Sequence, residues 1–346
     1  MAARLKDIAR DLGVSVVTVS KALRNHEDIS ESTRERVLKR IKELNYQPNQ
    51  AARALVTGKT NLIGLVVPDL VHPFFAQLAK GISRVLRERG YGLVISSSEE
   101  DADLEKQEIA QMVTRRLDAL LIASAQSAVE SFRYIEEQQR RYVLVDRRFS
   151  GLHANFVGTD DVAVGRMATN HLLENGCERV AFMGGRYIST AVGRQEGYRN
   201  ALTSAGRPVG DQYIACRDHS DDSGDLTGYQ AMRDLFSLSP RPDAVFCAND
   251  PLAMGAMKYA LKSGLRIPED VAIIGVGNVN YASALHVPLS SIDQESERLG
   301  EAAAGLALNL IQDKDSRPPE EILIQPRLVV RKSSSRAQTL TARAGA

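Results

Sequence analysis

The run Ser15-Val16-Val17-Thr18-Val19-Ser20-Lys21 packs three hydroxyls, three valines and a cation into two turns of a prospective helix. Valine is a mediocre helix former, because its branched Cβ stiffens χ1 against the preceding turn. With 3.6 residues per turn, these valines and Val14 just before them cannot all face one side. Val14 belongs to a turn and points inward. Val19, Ala22 and Leu23 recur at helical spacing and cover a neighbouring helix. Val16, Val17, Ser20 and Lys21 then lie outward. An exposed valine pair at a helix start suits apolar contact with thymine methyl groups, which the major groove presents, and Lys21 can donate to guanine O6 and N7. Ser15, Thr18 and Ser20, with the helix N-terminus, suit phosphate contacts that fix register. The competing reading packs Val16 and Val17 on the rest of the protein.

No catalytic set accompanies this binding chemistry. Phe182-Met-Gly-Gly-Arg186 resembles a phosphate loop but lacks the Gly-Lys-Ser/Thr ending. The acidic run Asp218–Asp225 lacks calcium-loop spacing and reads as a solvated loop. The six histidines form no HxH or HxxxH pair, and Asp160 and Asp161 read as helix caps. Cys177, Cys216 and Cys247 are few and scattered, which speaks against a disulfide framework or a zinc site and for reduced thiols. No cofactor is expected. The start MAARLKDIARDLG lacks the apolar core of a signal peptide and no apolar run spans a bilayer, so a cytoplasmic, non-membrane protein is expected.

The elements that position these residues change character along the chain. Residues 1–60 hold 12 Lys/Arg against 7 Asp/Glu, and the remaining 286 hold 32 against 36. A basic module therefore precedes a mildly acidic body. Leu5, Ile8, Ala9 and Leu12 make one helical face, Gly13 breaks it, and Ser15 caps a second helix. Two short helices joined by a glycine turn read as a helix-turn-helix. Ser30 caps a third helix with Val37, Leu38, Ile41 and Leu44 inward, and Pro48 ends it. Asn49 to Leu55 could form a short helix that is marginal alone. From Leu62 onward, near-continuous apolar runs alternate with amphipathic helices, the signature of parallel sheets covered on both faces. Their number suits two doubly wound subdomains. A late extended pair spans IQPRLVVRKSSS, and a polar tail follows.

The N-terminal motifs DIARDLGVSVVTVSKAL, ISESTRERVLKRIKELNYQPN and AARAL, with IGLVVPDLVHPFFAQLAKGI, HLLENG, GRQEGYRNAL, RPDAVFCANDPLAMGA and QPRLVVRKS further on, closely resemble the lactose-repressor/galactose-repressor (LacI/GalR) family of bacterial transcription regulators. The resemblance covers nearly the whole chain. It implies an all-α helix-turn-helix domain plus an α/β core like a type I periplasmic binding protein, built of two doubly wound subdomains. It places Val16, Val17 and Lys21 at base-reading positions and Ser15, Thr18, Ser20, Arg24, Ser30 and Thr33 at phosphate contacts. Asn49, Ala52, Arg53 and Leu55 match the hinge helix, where Leu55 would wedge into a minor-groove step; a small core contact is the competing role for Leu55. The partners implied are double-stranded operator DNA, a small-molecule effector and a second copy of the chain. The tail lacks the heptads of the family's tetramers.

Ligands in open α/β sheets bind beyond the strand carboxyl ends. Candidates there are Phe74, Phe75, Asp146, Arg194, Asn249, Asp250 and Gln294, with Arg194 matching the family's ligand-binding arginine. Helix capping is the competing role for the acids. After VAIIG the family usually carries an aromatic residue and then Asp, but here Gly277 stands in the Asp position. The cleft lacks that acceptor. A sugar or sugar derivative is expected as effector, with a nucleobase or sugar phosphate as the alternative. The expected division is 1–47 helix-turn-helix, 48–60 hinge and linker, and 61–346 ligand-binding and dimerisation core. Within the core, 61–159 and 290–318 form the first subdomain, 160–289 and 319–335 the second, and 336–346 the tail. The expected function is a ligand-responsive, sequence-specific DNA-binding regulator, a repressor working as a homodimer. A solute-binding protein and an enzyme are the rivals.

Overall fold

The computed structural model describes residues 4–23, 25–46, 54, 58–125, 129–149, 151–185, 187–217, 224–313 and 318–336. The chain divides into two compact units, 1–60 and 61–346.

In the first unit, α1 (Leu5–Leu12), α2 (Val16–Leu23) and α3 (Glu31–Glu43) enclose a small core of Ile8, Ala9, Val19, Ala22 and Val37. Gly13 ends α1 with φ +65°, a left-handed conformation that glycine adopts without steric cost. The Ser30 hydroxyl accepts from Thr33 N–H and starts α3. One expectation fails here. Leu38 is 42% exposed, because Val37 already occupies the inward position and a helix turns 100° per residue.

The second unit holds two six-stranded sheets. The nine apolar runs of the sequence are β1 (Leu62–Val67), β2 (Gly92–Ser97), β3 (Ala119–Ile122), β4 (Tyr142–Val145), β5 (Phe156–Thr159), β6 (Val180–Gly184), β7 (Ile214–Cys216), β8 (Ala244–Cys247) and β9 (Ala272–Val276). They are followed by β10 (Ser290–Asp293), β11 (Glu321–Ile324) and β12 (Arg327–Val329). The first sheet runs β11-β5-β4-β3-β1-β2, all parallel; the second runs β12-β10-β9-β8-β6-β7, with β12 antiparallel to β10. Around the first sheet lie α4 (Pro73–Glu88), α5 (Ala102–Thr114), α6 (Glu130–Glu137) and α11 (Ser296–Gln312). Around the second lie α7 (Asp161–Glu174), α8 (Ser189–Ser204), α9 (Asp225–Phe236) and α10 (Asp250–Lys262).

This topology corrects the expected subdomain boundaries. The chain passes between lobes three times: after β5, after β10 and between β11 and β12. Residues 290–293 therefore belong to the second lobe rather than the first, and 321–324 to the first rather than the second. The late extended segments β11 and β12 do not pair with each other; each completes a different sheet. The reason is that each finds an open sheet edge next to it, Phe156–Thr159 for β11 and Ser291–Asp293 for β12. The expected tail lies outside the described residues from 337 onward.

Helices α7 and α8 cross backbone to backbone. A Cβ on Gly165 would collide with the Arg194 carbonyl, and one on Gly197 with the Val162 carbonyl. This close approach sets Arg194 beside the start of α7. Gly197→Ala should overpack the crossing and cost about 1–3 kcal/mol, read as a lowered midpoint of thermal unfolding; an unchanged midpoint would show that the crossing can spread freely.

Candidate functional site

In the first unit the outward face of α2 is as the spacing requires. Val16 is 44% and Val17 61% exposed, whereas Val19 and Ala22 are buried. Ser15 Oγ accepts from Thr18 N–H at 3.0 Å and lies 2.8 Å from Thr18 Oγ1, so it caps α2. Ser30 Oγ does the same for α3, accepting from Thr33 N–H and donating to Thr33 Oγ1 at 2.9 Å. Ser20 is half-buried on α2. Lys21 does not simply extend into solvent: its Nζ donates to Asp28 Oδ2 at 2.7 Å. Arg24, Asn49, Ala52, Arg53 and Leu55 lie outside the described residues.

In the second unit a cleft of about 110 Å³ lies between the two lobes, at the carboxyl ends of both sheets. The first lobe contributes Asp69, His72, Phe74, Phe75, Glu100, Asp146 and Arg147, and the second Thr190, Arg194, Asn249, Leu252, Val276 and Gly277, with Gln294 at a crossing. Seven of the eight effector candidates line this cleft, and Asp250 does not. Arg194 is buried, donating from Nε to Asp161 Oδ1 at 2.9 Å and from Nη1 to the Ala248 carbonyl at 2.5 Å. Its Nη2 makes no hydrogen bond among the described residues. Gln294 is also buried, and its Nε2 has no partner among the described residues. Asn249 caps α10, its Oδ1 accepting from Leu252 N–H at 2.8 Å.

Phe74 and Phe75 line the cleft, mostly buried in the first lobe's core with their rings edge to face at 5.1 Å, and give it an apolar wall. One expectation is corrected. Asp250 is not a cleft residue. It is fully buried, and its carboxylate accepts from Ser291 Oγ at 2.7 Å and Val279 N–H at 2.9 Å. A carboxylate taken from water needs such donors, and the β9 and β10 ends supply them. Gly277 lines the cleft with φ +125°, a conformation that a residue with a side chain rarely adopts. Its neighbour Asn278 is committed elsewhere, to Asp293 at 2.9 Å and Arg331 at 2.7 Å.

Sequence reasoning missed the pair Arg147–Glu100. Arg147 donates from both Nη atoms to Glu100, at 2.9 and 2.7 Å, and also to the Ser124 carbonyl at 3.1 Å. Arg147 sits one residue past Asp146, so the strand-end rule could have found it. Glu100 sits in a left-handed turn with φ +56° and carried no signal. His72 was also missed; its Nδ1 caps α4 by accepting from Phe74 N–H at 3.3 Å.

Burial acts on the carboxyls in and behind the cleft. Burial raises the Asp146 carboxyl above its usual range, with Arg194 and Arg147 pulling it back. Burial pushes Asp161 up to about 7 despite Arg194. Burial pushes Asp250 up to about 6 despite its bond from Ser291.

Residues 4–49 match the family described as bacterial regulatory proteins, lacI family, and residues 60–332 match periplasmic binding proteins and sugar binding domain of LacI family. The chain belongs to the LacI family. Among LacI-family relatives, the HTH-type transcriptional repressor PurR of Yersinia pestis is 32% identical over 96% of each chain. The lac repressor dimer bound to operator and the anti-inducer ONPF superposes with TM-score 0.85, at 26% identity, over 96% of this chain and 99% of that one. A complex of the transcriptional regulator CelR with cellobiose superposes with TM-score 0.73, at 29% identity, over 96% and 99%. Like these LacI-family proteins, the chain is a ligand-responsive transcriptional repressor. Among the described residues no helix is long and apolar enough to cross a membrane.

An acid with a raised folded pKa holds its proton better in the folded state. Its stabilising contribution is complete below the ordinary carboxylate range and is lost as pH rises through the folded value. Relative to Asp250→Asn, the wild-type chain should therefore lose stability between about pH 4 and its folded value near 6. Thermal melts of both proteins across that range check this; parallel curves would refute it.

Proposed function

We propose that this repressor grips a near-palindromic operator as a homodimer, with α2 of each copy in the major groove. Val16 and Val17 meet thymine methyls and Lys21 a guanine, while Ser15, Thr18, Ser20, Arg24, Ser30 and Thr33 hold phosphates. One helix-turn-helix reads about one half-site, so paired copies match paired half-sites. The observation that carries this reading is the exposed Val16–Val17 pair on a helix whose Val19 is fully buried. Large apolar side chains at a helix start lose by facing water and gain by facing a groove. Asn49, Ala52, Arg53 and Leu55 form the hinge that enters the minor groove. The chain works by binding rather than catalysis, and its operator partner places it at the bacterial nucleoid.

The effector is a small polar molecule, a sugar or sugar derivative, held between the lobes. Support comes from Arg194 Nη2 and Gln294 Nε2, which have no hydrogen-bond partner among the described residues, and from the likeness to the cellobiose-bound regulator. Asp146, Asn249 and the Gly277 backbone complete the site beside the apolar wall of Phe74 and Phe75. Closure of the lobes on this molecule changes the dimer and thereby the hinges. A coupling of about 1–3 kcal/mol is enough to switch helices that are marginal alone.

Val16→Ala combined with Val17→Ala should cost about 1–3 kcal/mol on the cognate site and little on random DNA. Equal losses on both, measured by titration, would reject base reading. Arg194→Ala should leave operator affinity intact and abolish the thermal shift that a sugar panel gives with wild-type protein; a preserved shift would remove Arg194 from the effector site.

A further inference from the structure

Lys21, on the same helix as the exposed Val16–Val17 pair, forms an ion pair with Asp28. Lys21 is at the last turn of α2, and the chain then folds back over it. His26 N–H donates to the Lys21 carbonyl at 3.1 Å, and Asn25 takes φ +54° to make the reversal. Arg34, on α3, donates from Nη2 to the His26 carbonyl at 3.1 Å and the Ile29 carbonyl at 3.4 Å. Ile29 itself packs on the core of the unit. The loop bearing Asp28 is therefore fixed from three sides. Its carboxylate has Lys21 Nζ at 2.7 Å on one oxygen and His26 Nδ1 at 3.1 Å on the other.

An exposed ion pair of this kind adds little to stability. It also carries a cost in DNA affinity, since a carboxylate near the duplex opposes phosphate binding. Its value lies in pattern. A donor and an acceptor 2.7 Å apart match the major-groove edge of one G·C pair. There the guanine O6 acceptor and the cytosine 4-amino donor lie about 2.9 Å apart, joined by their own hydrogen bond. Lysine alone is a poor reader, because its ammonium rotates on a flexible stem. A fixed carboxylate restrains it. Each carboxylate oxygen can accept two hydrogen bonds, so Asp28 keeps acceptor capacity while holding Lys21.

We propose that Asp28 is a specificity-determining residue that accepts from the 4-amino group of a cytosine while Lys21 donates to the guanine paired with it. This rests on the reading of Lys21 as a major-groove donor. The pair then reads both members of one base pair. A·T and C·G are disfavoured because they present donor and acceptor in the reverse order; T·A offers thymine O4 beside the adenine 6-amino group, and Lys21 rejects it by also reaching guanine N7, where T·A carries the thymine methyl.

The test uses the full chain and a near-palindromic duplex selected from a randomised library. Wild type, Lys21→Ala and Asp28→Ala are titrated against duplexes carrying all four pairs at each half-site position. Lys21→Ala should lose a G·C preference at one position. Asp28→Ala should lose about tenfold of the preference at that same position, and gain affinity for random-sequence DNA. Replacing the cytosine there with an analogue lacking the 4-amino group should weaken wild type about tenfold and Asp28→Ala less than twofold. If Lys21→Ala changes no preference anywhere, the Lys21 reading falls and this proposal with it. If Lys21→Ala behaves as expected but Asp28→Ala keeps the wild-type ranking, or the analogue weakens both proteins equally, the Asp28 proposal alone is overturned. Matching thermal midpoints establish that Asp28→Ala is folded.

Discussion

A guanidinium drawn out of water must have every donor accounted for, and the fold around Arg194 provides for only part of it. Asp161 takes Nε and the Ala248 carbonyl takes Nη1. Much else follows from that arrangement. Asp161 must stand at the first residue of α7, so α7 and α8 must cross closely, and Gly165 and Gly197 are what allow the backbones to touch. Ala248 must end β8 at the level of the cleft. The donors left over face the space between the lobes, where Gln294 likewise has an amide with no partner among the described residues. The cleft is a polar cavity whose protein groups do not fully satisfy one another, the usual condition of a specific small-molecule site.

Among the described residues the lobes meet through few direct bonds: Gln77 reaches Asn280 at 3.4 Å, and Arg148 N–H reaches Ser189 Oγ at 3.1 Å. Three chain crossings carry the remainder. A ligand that satisfies the cleft groups can therefore change lobe separation without disrupting either sheet, which is the hinge-type closure expected of two rigid bodies on short connections.

Much of this architecture was legible in the sequence, and the reasons differ from residue to residue. Strands β1 to β9 could be read because a parallel strand covered on both faces is apolar throughout, as in Leu62–Val67. The facing of α2 could be read because helical spacing leaves no alternative for Val19. The routes of β11 and β12 could not, because their partners lie far away in sequence and short alternating strands do not state which edge they join. The choice between Asn249 and Asp250 turned on one peptide unit. Both sit at the end of β8, but only the backbone geometry decides that Asn249 caps α10 while Asp250 turns beneath β9 and β10. Leu38 was misread because adjacent apolar residues on a helix look alike in sequence yet point 100° apart. The partner of Lys21 was invisible because the loop that returns Asp28 to it has no periodic signal.

Gly277 bears on how this protein's ligand preference can change over time. With φ +125°, the main chain there occupies a region nearly closed to any other residue, and the buried Asp250 carboxylate lies directly behind it. A single codon change to aspartate would strain the backbone while setting a second carboxylate near one already raised by burial. The route to an acid at this position is therefore epistatic: the turn through Val276–Val279, or Asp250 beneath it, has to change first. The chemistry of the cleft is held in place by its main chain as well as by its side chains, and drift among ligand specificities should bypass this position.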